Sequence, residues 1–278
     1  VSEPRKLSIW IRCILWILSL LLTATVLVYQ RMTGPTYSMP AKASIGSLKA
    51  HAKLDRTHGG DGGPTIKVTA DSGLDGFLVW RRFPTKDEPT TIEMKRVGDT
   101  LQATLPHFPP AAKLEYVVKI SDGKDTVLLN SKAAVLRYKA DVPMAIVILH
   151  VLCIFLGLFF GLRAMFGTLV NEVNALRRVK YAVLFMSLGG LIFGPIMQKY
   201  AFGAYWTGWP LGEDLTDTKT LVGVLAWCVA WWLATRFTQV RRIAILLAFL
   251  VMLGVYMIPH SVRGSQYDWS KQQVETGK

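Results

Sequence analysis

Apolar positions in this chain form long unbroken blocks near its two ends and short alternating runs in its middle. The blocks cover 13–29, 142–162, 181–197, 221–234 and 243–258. A bilayer-spanning helix needs about 20 residues, with a lower limit of roughly 17. The first three blocks reach that length, and the last two reach it once flanking Thr, Lys and Arg snorkel to the interface. The pattern predicts five transmembrane helices. Arg5, Lys6 and Arg12 precede the first block, and Gln30-Arg31-Met32 follows it with no small-x-small cleavage pattern. Residues 1–30 therefore read as a signal-anchor helix rather than a cleaved leader.

Between the first two blocks the texture changes. Residues 31–63 are polar, with Gly34-Pro35 and the run Gly59-Gly60-Asp61-Gly62-Gly63, and read as a linker. Short alternating runs follow at 65–70, 77–82, 91–97, 101–105, 114–120, 126–129 and 133–138. Turn signals separate them, notably Val97-Gly98-Asp99-Thr100 and Ser121-Asp122-Gly123-Lys124. Such spacing predicts an antiparallel β-sandwich. The expected architecture is an α + β membrane protein. It comprises anchor helix 1–30, linker 31–63, an all-β sandwich at 64–141, a four-helix membrane bundle at 142–260 and a C-terminal tail at 261–278.

Charge sets the expected orientation. Of 278 residues, 51% are hydrophobic, and the formal net charge is +13. Basic residues concentrate before helix one (Arg5, Lys6, Arg12), between helices two and three (Arg163, Arg177, Arg178, Lys180) and between four and five (Arg236, Arg241, Arg242). The positive-inside rule places these segments in the cytoplasm. The β domain and the C-terminus then face the periplasm of a bacterial inner membrane. The basic residues form no patch on one soluble face, so the charge is a topology signal and argues against nucleic-acid binding. Cys13, Cys153 and Cys228 all fall in apolar helices, which excludes an exported disulfide framework.

The candidate chemistry lies on the expected outer side. His150 sits about two turns into helix two, roughly 10–12 Å from its outer end, and His260 follows Pro259 at the end of helix five. Between them in sequence, the loop at 200–217 carries Tyr200, Phe202, Tyr205, Trp206 and Trp209, then Glu213, Asp214 and Asp217. Ionisable groups inside a bilayer are rare and need partners. Two imidazoles beneath an aromatic platform could hold haem b, with His150 and His260 as iron ligands and Tyr205, Trp206 and Trp209 covering the ring. A quinone headgroup bonded to His150 is an alternative. Without a cofactor, the aromatics are an interfacial belt and the acids cap the next helix. His51, His58 and His107 read as solvated loop histidines. Gly157/Gly161 and Gly190/Gly194 are small-xxx-small pairs that allow helices two and three to approach closely. No phosphate loop, metalloprotease motif or nucleophile with a placed base is present, and no internal repeat suggests a transporter.

Two resemblances add to this reading. Leu114-Glu115-Tyr116-Val117-Val118-Lys119-Ile120 resembles strand F of fibronectin type III and immunoglobulin-like domains. That likeness implies a corner hydrogen bond from Tyr116 and a core aromatic at Trp80. Phe202-Gly203-Ala204-Tyr205-Trp206-Thr207-Gly208-Trp209 resembles the tryptophan-rich motif of haem-handling proteins in cytochrome c biogenesis. Phe202 stands for its first tryptophan, and there is one extra residue before Trp209. The order of anchor, Ig-like domain and four helices ending in Ile258-Pro259-His260-Ser261 is similar to a family of uncharacterised bacterial inner-membrane proteins. The two expectations are a subunit of a periplasm-facing redox or haem-handling assembly, partnered by a cytochrome or respiratory complex, and a cofactor-free assembly subunit that binds proteins through its outer surfaces.

Overall fold

A computed structural model describes residues 5–258 and 264–275, which form two compact units. The helical unit holds α1 (Ile9–Thr33), α2 (Met144–Leu169), α3 (Ala175–Ser187), α4 (Gly194–Phe202), α5 (Leu215–Arg236) and α6 (Arg241–Met257). A π-helical turn, Leu188–Phe193, joins α3 to α4, so Ala175–Phe202 forms one rod of 28 residues. Four helical spans are long and apolar enough to cross a membrane: Ile9–Thr33, Met144–Leu169, Ala175–Phe202 and Leu215–Arg236. The fifth apolar block becomes α6, whose 17 residues extend about 25 Å.

Proline explains the π turn. Pro195 stands at the start of α4 and has no N–H to donate. Gly194 N–H instead reaches the Gly189 carbonyl five residues back, widening the helix locally. Ser8 caps α1 through its hydroxyl. Within α1, the buried Ser19 and Thr23 donate their hydroxyls to the Leu15 and Ser19 carbonyls, each at 2.7 Å. An apolar helix can carry such residues because their polar atoms are satisfied within it.

The bundle core centres on Trp227, fully buried with its Nε1 donating to Met252 Sδ at 3.1 Å. Leu158, Val179, Met186, Val224 and Ile245 pack around it. The glycine pairs work differently from their expected role. A Cβ on Gly157 would lie 2.6 Å from Met186 on α3, as expected for an α2–α3 contact. Gly161 instead faces Met252 on α6, at 2.7 Å, and Gly190 faces Thr220 on α5, at 2.4 Å. The small residues thus admit four helices to one core rather than zipping two together.

The second unit contains β1 (Met39–Ile45), β2 (Leu48–Leu54), β3 (Thr57–Gly59), β4 (Thr65–Ala70), β5 (Asp75–Phe83), β6 (Thr90–Glu93), β7 (Lys95–Val97), β8 (Thr100–Thr104), β9 (Lys113–Ser121), β10 (Thr126–Leu128) and β11 (Ala134–Lys139). One sheet has the order β1-β2-β4-β8-β7. The other has the order β3-β11-β9-β5-β6, with β10 on β9. Inward residues of both sheets, among them Leu54, Val68, Leu78, Leu101, Leu114, Val118 and Leu136, share a single core. The pairs are antiparallel except β3 with β11.

Three expectations change here. Residues 31–63 are not a plain linker, because β1, β2 and β3 lie within them. The tail at 261–278 carries β12 (Gln266–Asp268) and β13 (Gln273–Glu275), a hairpin belonging to the β unit. Trp269 in that hairpin stacks edge-on against Phe108 at 5.0 Å and donates its Nε1 to the Phe83 carbonyl. Trp80 is half-buried at the rim of the core, against Phe108, rather than at its centre. Tyr116 is buried and donates its hydroxyl to a backbone carbonyl, as the strand-F likeness implies. The acceptor is Asp55, 61 residues away, at 2.7 Å. His58 and His107 are also engaged, both ring nitrogens approaching the Gly62 carbonyl at 3.1 and 2.7 Å.

Lys113 on β9 provides a pH test of this unit. Burial, and then the nearby charge of Arg137, lower its pKa to about 8. The unfolded chain therefore holds this proton more tightly, so stability should rise with pH from about 8 upward. Above about 10, the buried Tyr116 and Tyr138, whose pKa values are raised, oppose the gain because unfolding frees their phenols to ionise. Hydrogen exchange of β9 amides, corrected for intrinsic rate, should show greater protection at pH 9.5 than at pH 7.5. Lys113→Met should flatten that dependence. An unchanged slope in the variant rules Lys113 out as its source.

Candidate functional site

His150 lies on α2, half-buried, with Nδ1 2.9 Å from the Gly189 carbonyl in the π turn. A carbonyl only accepts, so this contact puts the proton on Nδ1 and the lone pair on Nε2. A Cβ on Gly194 would lie 3.7 Å from the imidazole Cε1, so the ring rests against the start of α4. The hydrogen-bond partner of this histidine in an apolar helix is thus backbone, at the place where Pro195 distorts the neighbouring helix. His260, its expected companion, lies outside the described residues.

The aromatic loop is built around buried carboxylates. Asp214 caps α5, its Oδ1 accepting from Thr216 N–H at 2.7 Å. Asp217, in the first turn, accepts from the N–H groups of Thr207 and Gly208 at 2.7 and 3.2 Å. The Thr207 hydroxyl lies 3.2 Å from Asp214 and 3.3 Å from Asp217, and it receives a bond from Gln198 on α4. Thr218 accepts from Trp209 N–H at 3.0 Å. Asp214 therefore has the capping role expected of it, whereas Asp217 reaches back to hold the loop. Because the main chain is pinned, Tyr205, Trp209 and Leu211 are held outward, 59%, 64% and 77% exposed. Trp206 is half-buried and donates its Nε1 to the Trp209 carbonyl. Trp209-Pro210 is a cis peptide.

Of the expected haem-binding residues, His150, Tyr205, Trp206 and Trp209 lie among the described residues. His150 is the one histidine among the described residues of the helical unit; its Nδ1 bond goes to the π turn, and Tyr205 and Trp209 are exposed. No group of three or more His, Cys, Asp or Glu residues that could hold a metal occurs among the described residues.

A third constellation escaped the sequence reading. Arg163 near the end of α2, Glu172 in the following turn and Arg178 on α3 form a buried ion-pair triad. Arg163 Nη2 donates to Glu172 Oε2 at 2.7 Å, and Arg178 donates to both carboxylate oxygens at 2.6 and 2.7 Å. Trp16 of α1 lies beside both guanidiniums, its ring centroid 5.0 Å from Arg163 Cζ and 5.4 Å from Arg178 Cζ. Gly167 permits the approach, since a Cβ there would fall 2.9 Å from Arg178 Nη1. The chain before α1 closes the group, with Arg5 N–H bonded to the Asn171 carbonyl at 2.8 Å. Burial works against a charged Glu172, but the two guanidiniums outweigh it and hold its carboxyl below the usual glutamate range. The sequence signal was weak: a lone acid, Glu172, among the basic residues that mark the expected inner face.

Removing Glu172 leaves two buried cations unpaired, which typically costs about 3–5 kcal/mol. Glu172→Ala should lower the unfolding midpoint of the detergent-solubilised chain substantially, while Glu93→Ala, on an exposed strand, should leave it unchanged. Similar midpoints for the two variants would mean that the triad contributes little to the bundle. Comparison with family models, curated proteins and solved structures gives no match to this chain.

Proposed function

We propose that this protein is a non-catalytic membrane subunit that binds partner proteins through its aromatic loop. In this reading α6 is a fifth span, the β unit is an immunoglobulin-like module, and both it and the loop face the periplasm of a bacterial inner membrane. The observation that carries the proposal is the pinned loop. Asp214 and Asp217 are used internally to fix the main chain, and the side chains held outward are large and apolar. Exposed aromatic residues on a rigid support are the usual anchors of a protein interface. Interfacial anchoring in lipid is the competing role of such residues.

Photocrosslinking separates these roles. A benzophenone amino acid at Trp209 should give discrete protein adducts in native membranes, whereas one at Leu128 on the β unit should not. Asp217→Ala, which frees the loop main chain, should reduce the Trp209 adducts several-fold without lowering the amount of protein in the membrane. Adducts to lipid alone at Trp209 would sink the interface reading.

A second reading places a haem or quinone at His150. It is favoured by the bond from Nδ1 to Gly189, because fixing that tautomer leaves Nε2 as the coordinating or accepting nitrogen. Oxidised and reduced absorption spectra of the purified chain test it directly. A Soret band that is lost in His150→Ala supports haem, and a colourless, folded preparation excludes it.

A further inference from the structure

Two guanidiniums share one carboxylate. Arg12, exposed on α1, lies one helical turn before Trp16 on the same face, the face that meets both guanidiniums. The cluster therefore keeps an excess of positive charge after Glu172 has been shared. Arg163 has no exposed surface, yet its Nε and Nη1 groups have no hydrogen-bond partner among the described residues. Trp16 stabilises the charge through its π face but offers these N–H groups no lone pair. The Trp16 ring also packs against Phe159 and Phe160 of α2, at 5.3 and 6.1 Å, while most apolar side chains of α1 are exposed.

We propose that this cluster binds a phosphate group that enters laterally between α1 and α2, with Trp16 as the gate. When the ring moves aside, phosphate oxygens can accept from Arg163 Nε and Nη1 while Arg12 adds a third contact. The planar edge of a guanidinium suits two oxygens of one phosphate. If α2 spans a bilayer, Arg163 lies about 9 Å from its nearer end. The favoured source at that depth is an anionic lipid headgroup, and basic pockets between helices are a recurring lipid-phosphate site.

The test uses the full chain in nanodiscs of three kinds: phosphatidylcholine alone, phosphatidylcholine with about one third phosphatidylglycerol, and phosphatidylcholine with added inorganic phosphate. Phosphatidylglycerol should raise the unfolding midpoint by roughly 5 °C. Arg12→Gln should remove most of that rise, and Arg177→Gln, an exposed neighbour outside the cluster, should retain it. Native mass spectrometry should find phosphatidylglycerol retained by the wild type and Arg177→Gln but lost from Arg12→Gln. An equal rise with inorganic phosphate, abolished by Arg12→Gln, supports the phosphate site and assigns it a soluble ligand. No rise with either phosphate source overturns the proposal, as does an equal rise in both variants. Failure of the wild-type chain to insert overturns the spanning assignment and the lipid source with it.

Discussion

The strongest electrostatic constraint in the helical unit is the burial of two guanidiniums around one carboxylate. Glu172 lies in the turn between α2 and α3 and neutralises a guanidinium from each. Buried charges are tolerated when they are paired and hydrogen-bonded, and breaking such a pair leaves a charge that the interior cannot solvate. The constraint extends outward from there. Gly167 leaves room for the guanidiniums, since a Cβ there would crowd Arg178 Nη1 at 2.9 Å. Arg5 is drawn against Asn171, and Trp16 brings α1 onto the guanidiniums. That electrostatic contact adds to the apolar packing of Val26 and Leu27 and the Gln30 bond to the Tyr256 carbonyl, which also hold α1 to the bundle.

The same requirement shapes the other end of this unit. Pro195 disrupts regular helix bonding, and the resulting π turn presents a carbonyl to His150. Asp217 satisfies two loop N–H groups that would otherwise be buried without a partner. Polar side chains that look like chemistry in the sequence are therefore used for structure first. The loop side chains of Tyr205, Trp209 and Leu211 are left facing outward.

In the β unit, the seven runs read from alternation at 65–70 through 133–138 coincide with β4 through β11, the third dividing into β6 and β7. The strands at 39–54 were not legible. Their inward positions include Ala41, Ala43, Ala50 and Ala52, interleaved with Lys42, Lys49 and Lys53. Alanine contributes little apolar contrast and disfavours strands, so a period of two passes unnoticed without the partner strand that buries it. Trp269 was illegible for a related reason, since its neighbour Phe108 is distant in sequence and only the fold brings them together.

Sequence by itself determined the elements whose signal is local. Long apolar runs specify helices, alternation specifies strands, and Asp214 before an apolar stretch specifies a helix start, because each depends on solvent preference or on hydrogen bonds within a few residues. Tertiary structure decided which polar groups meet. His150 is bound by a carbonyl 39 residues away, and Tyr116 by one 61 residues away. The triad of Arg163, Glu172 and Arg178 is compact in sequence, yet its burial and its cover by Trp16 arise only when α1, α2 and α3 pack together. The physical reason is that pairing energy depends on burial as well as on which charges are present, and burial belongs to the assembled helices rather than to any one of them.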